Sequence, residues 1–120
     1  MASEERERDR LLLERERQER IEEIERLREM LKSDVDASTQ DGDPDIYERE
    51  RNLAFLEEAE QRLEAIEAAL RALERGTYGL CERCGRPIER ERLEALPDTT
   101  LCLGCQREVE RLARQARRMV

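Results

Sequence analysis

Residues 76–105 read GTYGLCERCGRPIERERLEALPDTTLCLGC, and the two C-x-x-C pairs inside them decide how the rest of the chain is organised. The pairs are Cys81/Cys84 and Cys102/Cys105, with seventeen residues between them. Four soft thiolates at that spacing predict a closed tetrahedral site for one Zn²⁺ ion, ligated by Cys81, Cys84, Cys102 and Cys105. The chain has no histidine, and an all-thiolate set needs none. A closed set leaves no open coordination position, so the metal is expected to hold the fold and do no chemistry. Structural disulfides are a weaker reading, because they require an oxidising compartment. The charged start Met1-Ala2-Ser3-Glu4-Glu5-Arg6 lacks the apolar core of a secretory signal, so a cytoplasmic setting is expected. A redox-active dithiol ranks between the two, and thiolate oxidation with metal release is compatible with a structural zinc site.

Outward from the cysteines the composition changes character. The whole chain has 120 residues, of which 45% are charged and 2% aromatic, with no Trp. Such a chain cannot bury a broad globular core, and Arg, Glu and Leu at helical spacing point to long exposed helices. Leu56, Ala59, Leu63, Ile66, Leu70 and Leu73 recur at alternating spacings of three and four, a heptad seam. The seam predicts a helix over about 46–75, capped by Asp43 with Pro44 in its first turn and ended by Gly76. Leu13, Ile21, Ile24, Leu27 and Leu31 form a second stripe, predicting a helix over about 3–32 with Ser3 as N-cap. Two such helices joined by a polar link pack as an antiparallel hairpin over residues 1–75, with the zinc-finger domain over 76–120. Within the latter, residues 86–100 are expected to form a small hairpin or loop pair above Ile88, Leu93 and Leu96. A last helix to about Arg118 carries Val109, Leu112, Ala113 and Ala116 on one face. The fold class is therefore mainly α: a long antiparallel coiled-coil hairpin plus a small four-cysteine zinc-finger domain with a C-terminal helix.

Charge is concentrated in the link. Residues 34–48 hold Asp34, Asp36, Asp41, Asp43, Asp45 and Glu48 and no base, so they contribute −6 against −8 for the chain. The link from about 33 to 48 forms the far tip of the rod, opposite the zinc. Carboxylates on a narrow rod can enter a positively charged channel or one that holds Mg²⁺, whose preferred ligands are hard oxygens. The alternative is a solvated loop kept polar for solubility. Net negative charge argues against bulk binding to nucleic acid or anionic lipid. In the zinc segment Arg83, Arg86, Arg90 and Arg92 are interleaved with five acids, so sequence-specific DNA binding is not expected. No apolar run approaches the ~20 residues needed to cross a bilayer. No glycine-rich phosphate loop and no nucleophile–base pair is present, so an enzyme is not expected.

The order Gly76-x-Tyr78-Gly79-x-Cys81-x-x-Cys84-Gly85-x-x-Ile88-x-x-x-Arg92-Leu93-x-Ala95-x-Pro97, closed by Cys102-x-x-Cys105, resembles the DksA/TraR zinc-finger family. The hairpin before it fits the same family. The resemblance implies a coiled coil that enters the secondary channel of bacterial RNA polymerase, and a tip that modulates transcription initiation, often together with guanosine tetraphosphate at a shared site. On that basis Asp41, Asp43, Asp45 and Glu48 are the tip residues. Members with a D-x-x-D tip pair differ here, because Asp43-Pro44-Asp45-Ile46 puts Ile46 where the second aspartate would stand. Asp45 with Glu48 keeps that i, i+3 spacing with a longer acid. The stretch from Tyr47 to Leu53 is more similar to Gram-positive relatives. The alternative reading is a zinc-stabilised coiled-coil adaptor, or a self-associating structural protein with another partner.

Overall fold

The computed structural model describes residues 2–41 and 46–119, with side chains described for 3–33 and 46–119. Among the described residues four helices follow one another: α1 (Ala2–Asp41), α2 (Ile46–Arg75), α3 (Arg90–Ala95) and α4 (Leu103–Arg118). Among the described residues there is no strand, only an isolated antiparallel bridge between Leu80 and Pro87. Among the described residues no helix is long and apolar enough to cross a membrane.

α1 and α2 pair antiparallel along the two predicted stripes. Near the zinc end, Leu13 packs with Ile66, Ala69 and Leu73, and Leu70 and Tyr78 close around them. Farther out, Ile24 and Leu27 pack with Ala59, flanked by Leu56 and Leu63. Leu13 and Ile66 are wholly buried. Each fully buried aliphatic side chain stabilises by about 1.5–3 kcal/mol, so these layers hold the rod together. Ile21 is only half-buried at the edge of its stripe. Ion pairs Arg17–Glu67 at 3.4 Å and Arg28–Glu60 at 3.4 Å bridge the helices at the surface, where such pairs contribute little.

α2 has the predicted bounds, and its end is a Schellman motif. Thr77 N–H donates to the Ala72 carbonyl at 2.9 Å and Gly76 N–H to the Leu73 carbonyl at 3.2 Å. Gly76 has φ +79°, which a side chain would oppose. α1 departs from expectation at both ends. It begins at Ala2, so Ser3 lies inside the helix, and it continues past Lys32 to Asp41. Residues 33–41 include poor helix formers but no Gly or Pro, and a helix already propagating continues through them at modest cost per residue. The predicted cap Asp43 and first-turn Pro44 lie outside the described residues.

The expected hairpin over 86–100 is instead the short helix α3. Ile88 and Leu93 are buried as predicted, whereas Leu96 is exposed. Leu96 follows the last turn of α3, and its N–H donates back to the Arg92 carbonyl at 2.7 Å. α4 begins at the second cysteine pair as expected. Its apolar face is not covered: α4 has no buried residue, and Val109 and Leu112 are 40% and 43% exposed.

Candidate metal centre

The two cysteine pairs reach one point because two backbone turns aim them there. The first sits in a knuckle in which Cys81 N–H donates to the Arg86 carbonyl at 2.8 Å and Gly85 N–H to the Cys81 carbonyl at 2.9 Å. Ile88 N–H donates to the Gly79 carbonyl at 2.7 Å and closes the loop beneath. Gly79 is required there: its φ is +85°, and a Cβ would stand 3.3 Å from Leu93 Cδ1. The second pair opens α4, with Cys102 as N-cap and Gln106 N–H donating to its carbonyl at 2.9 Å. Glu82 N–H donates to the Thr100 carbonyl at 2.9 Å and ties the two knuckles together.

All four sulfurs lie within 4.8 Å of one another. Cys84 Sγ and Cys102 Sγ are 3.8 Å apart. Four thiolates about 2.3 Å from a central zinc in tetrahedral geometry stand about 3.8 Å from one another, so the arrangement fits that ion. The separation is well beyond the ~2.05 Å of a disulfide, and the four cysteines are free. The sulfurs are not equivalent electrostatically. Backbone N–H groups of Cys102 and Cys84 favour a thiolate at Cys81 and pull its pKa to about 6. The neighbouring sulfur of Cys102 and burial push Cys105 up to about 12. Four thiols alone therefore resist full ionisation, and a divalent cation at their centre supplies the charge that lets all four deprotonate. The four cysteines are positioned to bind one metal ion.

A small core supports the site: Cys81, Ile88 and Leu93 are buried together, with Tyr78 and Leu101 packed against them. Arg92 Nε donates to the Leu101 carbonyl at 3.0 Å, beside the second pair. Leu103 N–H donates to Glu89 Oε1 at 3.2 Å at the start of α4. Glu89's own backbone N–H and that of Leu103 hold its carboxyl below the usual range. Two of the four arginines considered as a basic patch are thus engaged within the fold, Arg92 on Leu101 and Arg90 on Asp9.

Two of the tip candidates, Asp41 and Glu48, are on the helix ends that flank the link at the other end of the rod. Asp41 is the last residue of α1. Glu48 stands exposed in the first turn of α2. Asp43 and Asp45 lie outside the described residues. The residues that sequence reasoning missed are polar ones on the seam. Asp9 and Asn52 are each 6% exposed, and Arg49 is half-buried. Arg49 and Asn52 prolong the three–four spacing of Leu56 to Leu73, a signal visible without regard to polarity.

Comparison with known proteins agrees with this architecture. The model of the prokaryotic dksA/traR C4-type zinc finger matches residues 76–111. The transcription factor DksA2 of Pseudomonas aeruginosa superposes with a TM-score of 0.75 at 32% identity, over 91% of this chain and 85% of that one. The RNA polymerase-binding transcription factor DksA of Caulobacter vibrioides is 41% identical over 69 residues, 56% of this chain and 49% of its own. General stress protein 16O of Bacillus subtilis is 34% identical over 80 residues, 67% of this chain and 49% of its own. The chain spans less than half the length of the curated relatives it matches. The superposition with DksA2 extends far beyond the zinc knuckles and takes in the helical hairpin, so the likeness is one of whole architecture. The chain belongs to the DksA/TraR family of C4-type zinc-finger proteins.

Proposed function

We propose that this protein binds bacterial RNA polymerase, inserts its hairpin into the secondary channel and modulates transcription initiation through Asp41, Asp43, Asp45 and Glu48. The observation that carries this reading is the architecture shared with DksA2 over 91% of the chain. The Caulobacter relative named as binding the polymerase supports it. The physical argument is one of shape and charge. A two-helix rod is slim, and the molecule measures 59 × 43 × 20 Å along its principal axes. Six acids without a base are gathered in residues 34–48. The zinc ion does no chemistry in this reading; it fixes the segment from which the rod projects.

The test is direct. Tagged, zinc-loaded protein should retain purified polymerase at about 0.15 M salt, and a protein already known to occupy the secondary channel should displace it. Initiation on a panel of promoters should change on addition of the protein, assayed with and without guanosine tetraphosphate. Failure to retain polymerase at low and physiological salt would remove this function. A second reading, a zinc-stabilised adaptor or self-associating protein, is favoured by the uncovered Val109 and Leu112 on α4. Retention of another partner, or self-association without polymerase binding, would select it.

A further inference from the structure

The seam of α2 does not end at Leu56. Burial continues tipwards at the same spacing, through Asn52 and then Arg49, while the chemistry changes from apolar to polar. Asn52 is 6% exposed, whereas Leu56, the next seam residue below it, is only half-buried. Arg49 Nη1 reaches across the hairpin and donates to the Leu31 carbonyl of α1 at 3.1 Å. Leu31 is the last buried residue of the α1 stripe among the described side chains. The final apolar layer of the rod therefore carries a cross-helix hydrogen bond from a cation.

That cation has a particular place in the chain. Six acids and no base precede it in residues 34–48, and Arg49 is the first positive charge after them. Of these acids, Asp34, Asp36 and Asp41 belong to the end of α1 and Glu48 to the start of α2, and like charges on two adjoining helix ends favour splaying of those ends. The apolar layers that would resist splaying stop at Leu31 and Leu56. A charged donor on a backbone carbonyl is stronger than a neutral one, and its positive charge offsets part of the repulsion. We propose that Arg49 is a positioning residue for the tip: its bond to Leu31, above buried Asn52, locks α2 to α1 where the apolar seam ends and so fixes the first turn of α2, which carries Glu48. The structural half of this inference is independent of the partner, and its functional half rests on the polymerase reading above.

The test compares Arg49→Met, which keeps an apolar stem but removes charge and donor, with Arg51→Met on the exposed face. Amide hydrogen exchange on the zinc-loaded full chain should quicken about tenfold over residues 28–33 and 46–55 in Arg49→Met, and stay near wild type over 59–73. Arg51→Met should exchange like wild type throughout. Exchange in Arg49→Met that matches Arg51→Met would overturn the lock. In the initiation assay Arg49→Met should lose most of the regulatory effect while polymerase affinity changes less than about threefold. Faster exchange with an undiminished regulatory effect would refute the positioning role, and Asp43→Asn with Asp45→Asn, run beside it, separates that result from failure of the tip reading itself.

Discussion

Arg90 of α3 grips Asp9 of α1 with two hydrogen bonds, 2.5 and 3.2 Å long, across eighty-one positions of sequence. Glu5 adds a second acid 3.2 Å from the same guanidinium. The Asp9 side chain is 8% exposed and that of Arg90 40% exposed, so the pair is half in water. These contacts bind the start of the hairpin to the segment that carries the cysteines. Arg90→Ala leaves the Asp9 carboxylate buried without its partner. Loss of a fully buried pair costs ~3–5 kcal/mol; screening at the exposed Arg90 reduces the expected loss to ~1–2 kcal/mol. Urea unfolding should show it, and an Arg90→Ala protein as stable as wild type would deny the contact a structural role.

The metal should be stoichiometric and structural. Cys81, Ile88 and Leu93 are the only buried residues in their cluster, too few to hold two knuckles on their own. Structural zinc in such sites supplies ~10 kcal/mol or more of apparent binding energy at neutral pH. Elemental analysis of reduced protein should give one zinc per chain, and Cys81→Ser should lower the melting temperature and abolish tight zinc retention. Metal-free protein with an unchanged melt would contradict this.

The hairpin should depend on its two fully buried members. Ile66 and Leu13 are 0% exposed and face each other across the helices. Ile66→Ala or Leu13→Ala should cost ~2–4 kcal/mol, a transfer loss plus the residual cavity. Glu64→Ala, on the exposed face, should stay within ~0.5 kcal/mol of wild type. Equal stability of the core and surface variants would show that the helices are not held by this seam.

Tyr78 links pH to the same junction. Its hydroxyl donates to the Pro97 carbonyl at 2.8 Å. Burial, and then the nearby Asp9 carboxylate, push the phenol from 10 up to about 12. A phenol that stays neutral longer in the fold than in the unfolded chain stabilises the fold fully below pH ~10. That contribution is lost as pH rises towards about 12. Tyr78→Phe should be less stable than wild type by ~1 kcal/mol at neutral pH, and the gap should narrow through the alkaline window. A gap that holds constant up to pH ~12 would show that the hydroxyl is not protected in the fold.

Periodicity carried the hairpin, and its limits explain what was missed. Leu56 to Leu73 marks a buried face because apolar residues there alternate at three and four. Arg49 and Asn52 continue the same face, but a reading built on hydrophobicity stops where the residues turn polar. Asp9 sits four residues before Leu13 on the α1 seam, yet its burial makes sense only with Arg90, and no local pattern announces a partner eighty-one positions away. α3 spans six residues, fewer than two turns, so it offers no repeat to detect. The cysteines were legible because ligand spacing is a direct consequence of metal geometry. α4 was legible as an amphipathic helix, but amphipathicity does not say whether the chain itself covers the apolar face.

The acidic tip provides the prediction that separates mechanism from binding. If the rod delivers carboxylates, Asp43→Asn with Asp45→Asn removes two charges where they act and leaves the zinc segment and the hairpin seam unchanged. Both substitutions fall in the polar link between the two apolar stripes of the sequence, so stability should move by no more than about 0.5 kcal/mol. Polymerase affinity should also be nearly unchanged, because the docking surfaces remain. The effect on initiation should nevertheless disappear, since the electrostatic field at the end of the rod has changed. Glu48→Gln then asks whether this exposed acid in the first turn of α2 takes the role of the second aspartate replaced by Ile46. A further loss in the triple variant, measured on a promoter where the double variant keeps residual activity, would assign it that role. The measurement is in vitro initiation beside a binding assay at the same salt. Full regulatory activity in the double and triple variants would refute delivery of charge by the tip, and would place the active surface on the zinc segment or the sides of the rod.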